Sequence, residues 1–290
     1  MTRRSFVAAA AAAPSLLAAA GRPPLCVFSK HLAKLNYDQL GKAAKEFGFD
    51  GVDLAVRAGG HVEPARVTED LPKALAAIRA HGVEVPMITT GLLKPDDPAA
   101  RPALSTAAKG KVTYFKTGYW RYKKTGGAEA LLSEVKQATH GLVAIGKEYG
   151  IQLGFHNHSG DYVGSAIWDT RFILEGTDPK WAGYYFDPGH ATIEGGLHNW
   201  KLSTEIVLPR MKMVAIKDFV WAKKKGKWVV EWTPLGEGMV NWPAVFGAFA
   251  KAKYTGPLSL HLEYDTPDEH AAIAKDLEFL KKQVAAAYSS

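Results

Sequence analysis

The chain has 290 residues, 47% of them hydrophobic and 22% charged, a balance that excludes disordered and fibrous classes and fits a folded enzyme. The formal net charge is +7, yet apart from Lys223-Lys224-Lys225 the basic residues are scattered, with no stripe interleaved with aromatics, which argues against nucleic acid as a partner. The single cysteine, Cys26, forms no internal disulfide, so the fold needs no oxidising compartment and Cys26 reads as a small buried hydrophobe.

In chain order, the first feature is a leader. Arg3-Arg4-Ser5-Phe6-Val7 is a charged start followed by an Ala/Leu-rich run that ends in Ala18-Ala19-Ala20. The layout is that of a signal peptide over residues 1–20, and the arginine pair resembles a twin-arginine signal. The run is too short and too alanine-rich to span a bilayer, which takes about 20 strongly apolar residues. The expectation is a periplasmic or secreted protein with no membrane contact once the leader is removed.

From residue 23 to 290, short apolar runs alternate with longer amphipathic ones. Strands are predicted over Leu25–Ser29, Gly51–Val56, Val83–Thr89, Val112–Thr117, Ile151–His156, Gly183–Phe186, Met211–Lys217 and Pro257–Glu263. Helices are predicted over Tyr37–Phe47, Val67–Ala80, Pro98–Ala108, Ala128–Tyr149, Ser165–Leu174, Trp242–Ala252 and Asp268–Tyr288, with a further helical stretch near Asn199–Leu208. Eight such pairs in one unbroken domain predict an α/β fold of the single (β/α)8 TIM-barrel type, which takes roughly 250 residues. No Gly-x-Gly-x-x-Gly follows the first strand, which disfavours a dinucleotide-binding sheet. Between Asp218 and Trp242 the pattern breaks into a two-stranded excursion turning at Lys225-Gly226, whose tryptophans are expected mainly to pack on the barrel rather than to line a sugar site.

In a barrel the active site lies where strands end. The second strand offers Asp53 and a loop with Arg57 and Gly59-Gly60-His61. The fifth ends in His156-Asn157-His158, the sixth in Asp187-Pro188-Gly189-His190, the seventh in Lys217-Asp218 and the eighth in His261-Leu262-Glu263. Residues two apart on a strand share a face, which pairs His156 with His158 and His261 with Glu263. Imidazoles and carboxylates converging from several strands suit a divalent metal ion (Mn, Co, Zn or Mg). The expected ligands are His156, Asp187, His261 and Glu263. His190, His158, Glu263 and Lys217 are the candidates for proton transfer, with His190 and His158 expected to keep near-neutral pKa values. Arg57, His61 and Asp218 are the expected substrate contacts. The remaining histidines, His31 among them, read as surface.

These motifs together resemble the sugar phosphate isomerase/epimerase group of the xylose-isomerase-like barrels. The resemblance rests on Gly51-Val52-Asp53-Leu54, Gly154-Phe155-His156-Asn157-His158, Phe186-Asp187-Pro188-Gly189-His190-Ala191, Ile216-Lys217-Asp218, Leu235-Gly236-Glu237-Gly238 and Gly256-Pro257-Leu258-Ser259-Leu260-His261-Leu262-Glu263. It implies a metal held by Glu, Asp, His and Glu from the fifth to eighth strands. Here Asp187 matches, His156 and His261 stand at the two Glu positions, and Ala215 stands at the His position. The strand-five histidines are also similar to those of inosose dehydratases, lyases of the same superfamily. The reading is a metal-dependent isomerase or epimerase that moves a proton next to the carbonyl of a sugar or sugar derivative. The alternatives are a keto-sugar lyase or dehydratase and a non-catalytic exported carbohydrate-binding protein. A small sugar is the expected partner, and homo-oligomerisation is left open.

Overall fold

The computed structural model describes residues 21–122 and 127–289; the leader expected over residues 1–20 lies outside the described residues. The chain builds strands β1 (Leu25–Phe28), β2 (Gly51–Val56), β3 (Glu84–Thr90), β4 (Tyr114–Lys116), β5 (Gln152–His156), β6 (Ala182–Phe186), β7 (Met211–Ile216), β8 (Asp218–Lys224), β9 (Lys227–Thr233) and β10 (Leu258–Leu260). The helices are α1 (Tyr37–Phe47), α2 (Val67–Ala80), α3 (Ala100–Lys109), α4 (Ala128–Tyr149), α5 (Ile167–Leu174), α6 (Pro188–Val207), α7 (Trp242–Lys251) and α8 (Glu269–Tyr288). Eight parallel strands close in the order β1-β10-β7-β6-β5-β4-β3-β2, so β10 is the eighth barrel strand.

Local chemistry sets the joints. Asn36 caps α1 by accepting from the Gln39 N–H, and the Gln39 side chain accepts from the Asn36 N–H in return. Gly48 and Gly150 end α1 and α4 at φ 86° and 83°, a left-handed turn that costs glycine little. β8 and β9 form the expected antiparallel hairpin, with Lys224 opposite Lys227.

Several elements differ in their bounds from the sequence reading, and two of them bear on the site. Helix α6 starts at Pro188, well before Asn199, because Asp187 caps it and Pro188 supplies a preset first residue; a non-helical Gly196 kinks it midway. Strand β10 stops at Leu260; the His261 N–H still donates to the Ile216 carbonyl of β7, and Glu263 lies beyond the ladder.

Inside the barrel the two-residue period sorts side chains into layers. Met87, Tyr185, Met213 and Ala215 form a small buried cluster with Tyr114 packed against it. The next inward positions on the same strands are polar: Thr89, Lys116, Asp187 and Lys217 are all buried. The larger core lies between the strands' outer faces and the helices, with Ile88, Phe115, Phe155, Phe186 and Val214 facing it. This arrangement leaves the polar layer uppermost at the mouth. Cys26 is fully buried, as a small hydrophobe would be.

Candidate active site at the barrel mouth

A cavity of about 210 Å³ opens at this mouth, lined by Lys30, Arg57, Lys116 and Lys217, by His156, His158 and His261, and by Glu263 among others. Four basic side chains thus face one carboxylate across the space a ligand would take.

Asp187 anchors one side. Asn157 fixes its backbone from both directions, accepting from its N–H at 2.8 Å and donating to its carbonyl at 3.0 Å. Its Oδ1 accepts from the His190 N–H at 2.9 Å. Its Oδ2 meets Lys217 Nζ at 3.2 Å, His156 Nε2 at 3.4 Å and His190 Nε2 at 3.7 Å. Burial raises the Asp187 pKa, but the Lys217 ammonium and the His190 ring and N–H outweigh it and hold the carboxyl below its usual range. The Tyr119 hydroxyl lies 2.8 Å from His156 Nδ1, an arrangement satisfied when Tyr119 donates to Nδ1 and Nε2–H points to Asp187.

A second cluster forms around Asp53, which is fully buried and accepts from Thr89, Tyr185 and Ser259. His261 Nε2 lies 3.0 Å from the Tyr185 hydroxyl, and its ring stacks on Phe28. Glu263 Oε1 is 3.8 Å from His261 Nδ1, and its Oε2 accepts from Lys30 at 3.1 Å. Burial pushes Glu263 up, but Lys217, His261 and Lys30 together carry it down to about 2.

The four expected metal ligands therefore split into two pairs, His156 with Asp187 and His261 with Glu263. Tyr185 touches both, stacked on His156 and bonded to His261. Among the described residues, no group of three or more His, Cys, Asp or Glu converges in a way that could hold a metal. The Lys217 ammonium already neutralises Asp187 where a cation would sit. This donor set does not fit a divalent ion.

Other expectations also meet the structure. His158 lines the cavity; its Nδ1 donates to the Ser159 carbonyl at 2.9 Å, which leaves the Nε2 lone pair free to act as an acceptor. His190 is fully buried and is not among the lining residues; it accepts from or donates to Ser159 Oγ at 2.8 Å and packs edge-on against Trp232. Neither ring is near-neutral: burial and then Lys217 hold His190 well below its usual range and His158 at about 4.

Arg57 lines the cavity, whereas His61 does not; burial lowers the His61 pKa, and His61 Nε2 has no hydrogen-bond partner among the described residues. Asp218 does not face the mouth. Its carboxylate accepts from the N–H groups of Phe219, Gly236 and Val240 and from the Trp242 indole. It ties the hairpin to the following loop, a structural role in place of the expected substrate contact.

His31 is also buried; it accepts from the Leu262 N–H at 3.0 Å, and burial drives it to about 3. Sequence reasoning missed Lys116, Tyr119 and Tyr185. Trp232 of the hairpin both packs under Phe219 and lines the cavity.

A closed parallel barrel with a charged cavity at the C-terminal mouth is the architecture of a small-molecule enzyme. The chain belongs to the xylose isomerase-like TIM barrel family, whose model matches residues 42–283. It is 29% identical over 153 residues to the inosose dehydratase of Bacillus velezensis, across 47% of this chain and 50% of that one. The chain thus spans about half the length of the curated relatives it matches. Among solved structures it is similar to the 3-keto-D-glucoside 4-epimerase of E. coli, with a TM-score of 0.72 and 15% identity over 90% of this chain and 100% of that one. It is also similar to a xylose isomerase-like barrel of Mycobacterium smegmatis in complex with magnesium, with a TM-score of 0.70 and 16% identity over 91% and 97%. At these identities the structural likeness establishes the fold.

Proposed function

We propose that the cavity binds a keto-sugar or keto-glycoside and moves a proton next to its carbonyl, isomerising or epimerising it. The observation that carries this reading is the cavity wall itself. His158 Nε2 is an acceptor with no partner among the described residues, in a cavity lined by three cations, Lys30, Arg57 and Lys217, and by the buried amine of Lys116. Removing a C–H proton beside a carbonyl leaves negative charge on the substrate, and preorganised cations in a water-poor site stabilise that charge. A hydroxyl-rich ligand also suits a lining of His, Lys, Arg and Glu. Trp232, at 4.9 Å from Lys217 Nζ, offers a flat face beside them. The family and its sugar-epimerase neighbours support the same substrate class.

The similarity to inosose dehydratase favours a second reading, elimination. The same carbanion would expel a β-hydroxyl in place of taking its proton back. Incubation of the protein in D2O with a panel of ketohexoses and 3-keto-glucosides, followed by proton NMR, separates the outcomes. Deuterium incorporation with an epimer or isomer supports the first reading, and an enone with its ultraviolet absorbance supports the second. Saturable binding without either would make the protein a carbohydrate-binding module. The leader belongs to the proposal as well: the mature chain begins near Gly21, and changing Arg3 and Arg4 both to Lys abolishes export. Intact full-length protein in the periplasm would refute cleavage.

A further inference from the structure

We propose that Lys116 is a nucleophilic amine that captures the substrate carbonyl as an imine. This deepens the reading above and rests on it, because it names the group that makes the neighbouring C–H acidic.

Strand alternation turns Tyr114 and Lys116 into the barrel and Phe115 outward into the helix-side core. Lys116 is only 2% exposed, yet it lines the cavity. Its Nζ makes no hydrogen bond and no ion pair with any described residue. Its one close partner is the face of Tyr119, 3.3 Å from the ring centroid. Lys217 differs on each point that matters, since its Nζ is paired with Asp187 at 3.2 Å. These two of the cavity's three lysines thus have different environments: Lys217 is a held cation, and Lys116 is an amine without a hydrogen-bond or ion-pair partner among the described residues.

Burial is the largest influence on Lys116, and it disfavours the ammonium. Arg57 and Lys217 push the same way, Asp53 opposes them, and the amine is held well below the usual lysine range. A desolvated lysine beside other cations is the pattern that yields a neutral, nucleophilic amine near pH 7.

The steps balance without any oxidant or reductant. The Nζ lone pair attacks the carbonyl carbon, a C–N bond forms and the π pair moves to oxygen. One N–H proton passes to that oxygen, giving a carbinolamine. The nitrogen lone pair then expels the oxygen as water, with one proton from the Lys217 ammonium, which solvent restores. The product is a protonated imine. Transfer of the adjacent C–H proton to His158 Nε2 moves the bonding pair into the imine and gives a neutral enamine. His158 exchanges its proton with solvent and a proton returns to the carbon, on the opposite face where the sugar is epimerised. Water then hydrolyses the protonated imine to product and free amine, and the remaining proton leaves to solvent. The iminium nitrogen is thereby the electron sink that a donor set unsuited to a divalent ion does not provide.

The test needs no knowledge of the natural sugar. The mature protein is incubated at pH 7 with dihydroxyacetone and sodium cyanoborohydride, and the lysines carrying the reduced adduct are mapped by peptide mass spectrometry. Lys116 is expected to be labelled at least about tenfold faster than exposed lysines such as Lys227, because each unit of lowered pKa raises the neutral fraction tenfold. Labelling of Lys116 no faster than the exposed lysines, or labelling of Lys217 in its place, overturns the proposal. Lys116→Arg keeps a long basic side chain but cannot form an imine; it should abolish deuterium exchange while circular dichroism shows the fold intact. Exchange in Lys116→Arg at the wild-type rate also overturns it. Wild-type exchange without Lys116 labelling would sink the imine and leave the proton-transfer reading standing. Labelling with no exchange in any sugar would support the reactive amine and refute the sugar reading.

Discussion

Asp218 gives the sharpest separation between a structural and a ligand-binding carboxylate. Three backbone N–H groups and the Trp242 indole converge on it at 2.8 to 3.2 Å, and the residue is buried. The Gly236-Glu237-Gly238 loop closes over it so tightly that a Cβ on Gly238 would come within 2.0 Å of Asp218 Oδ1. Asp218→Ala leaves four donors without an acceptor, at about 1–3 kcal/mol for each buried group left unpaired. Water entering the void recovers part of that, so the expected loss is about 3–5 kcal/mol, comparable to breaking a buried charged network. At about 2–4 °C per kcal/mol for a chain of this size, the thermal midpoint should fall by roughly 6–20 °C. Asp218→Asn keeps one acceptor oxygen and should lose less. Differential scanning calorimetry measures the shift, and exchange kinetics on the folded protein at low temperature should show an unchanged KM. A midpoint within about 2 °C of wild type together with a raised KM would refute the structural assignment and return Asp218 to the substrate.

His158→Ala should lower deuterium exchange by about 10²–10⁴-fold, the usual contribution of a general base, with the melting temperature nearly unchanged; an effect under about threefold would move the base to Glu263. Because His31 sits at about 3 and His158 at about 4, with His156 and His190 also held low by burial, the folded state keeps these rings neutral where the unfolded chain protonates them near pH 6.5. The unfolded state then binds more protons, so stability is full above about pH 6.5 and falls as the pH drops toward 4, with Glu263 adding a loss of the same sign below about 4.3. Melting temperatures that stay flat from pH 7 to 4.5 would contradict this. Extended dialysis against a chelator should leave exchange within about twofold of the untreated protein; loss of exchange that Mn or Co restores would show that a divalent ion binds after all.

The barrel was legible because its signals are local and repeated. Apolar strand runs alternate with amphipathic helical ones along the chain, and a glycine-ended joint such as Phe47-Gly48-Phe49 reads alone. The cluster at the mouth was legible for the same reason, since strand ends define it. What was not legible is which way each group faces after the strand stops. Asp218 follows Lys217 immediately, and one residue's rotation sends it into the hairpin and not the mouth. His31 sits in a short turn after β1 and looks solvent-facing until Leu262 folds back over it. Lys116 lies in a strand of only three residues, where a lysine reads as a surface end. The signal that could have found it is the inward phase it shares with Tyr114.

The metal expectation fails on charge as well as on geometry. A divalent ion about 4 Å from the Lys217 ammonium would meet roughly 8 kcal/mol of repulsion at an effective dielectric of about 20. Arg57, on the same wall, would add to it. Asp187 would have to offset this with one oxygen that Lys217, His156 and His190 already surround. Ala215, at the position where the resemblance implies a histidine, lies one layer below Lys217 in contact with Tyr185. Its small side chain leaves the phenol room to reach Asp53, Ser259 and His261. The substitutions reinforce one another: without the strand-seven imidazole a ligand is lost, and the tyrosine that packs there touches both remaining pairs. With ammonium groups fixed in the wall, the site keeps the positive charge that carbanion chemistry requires and carries it on its own side chains.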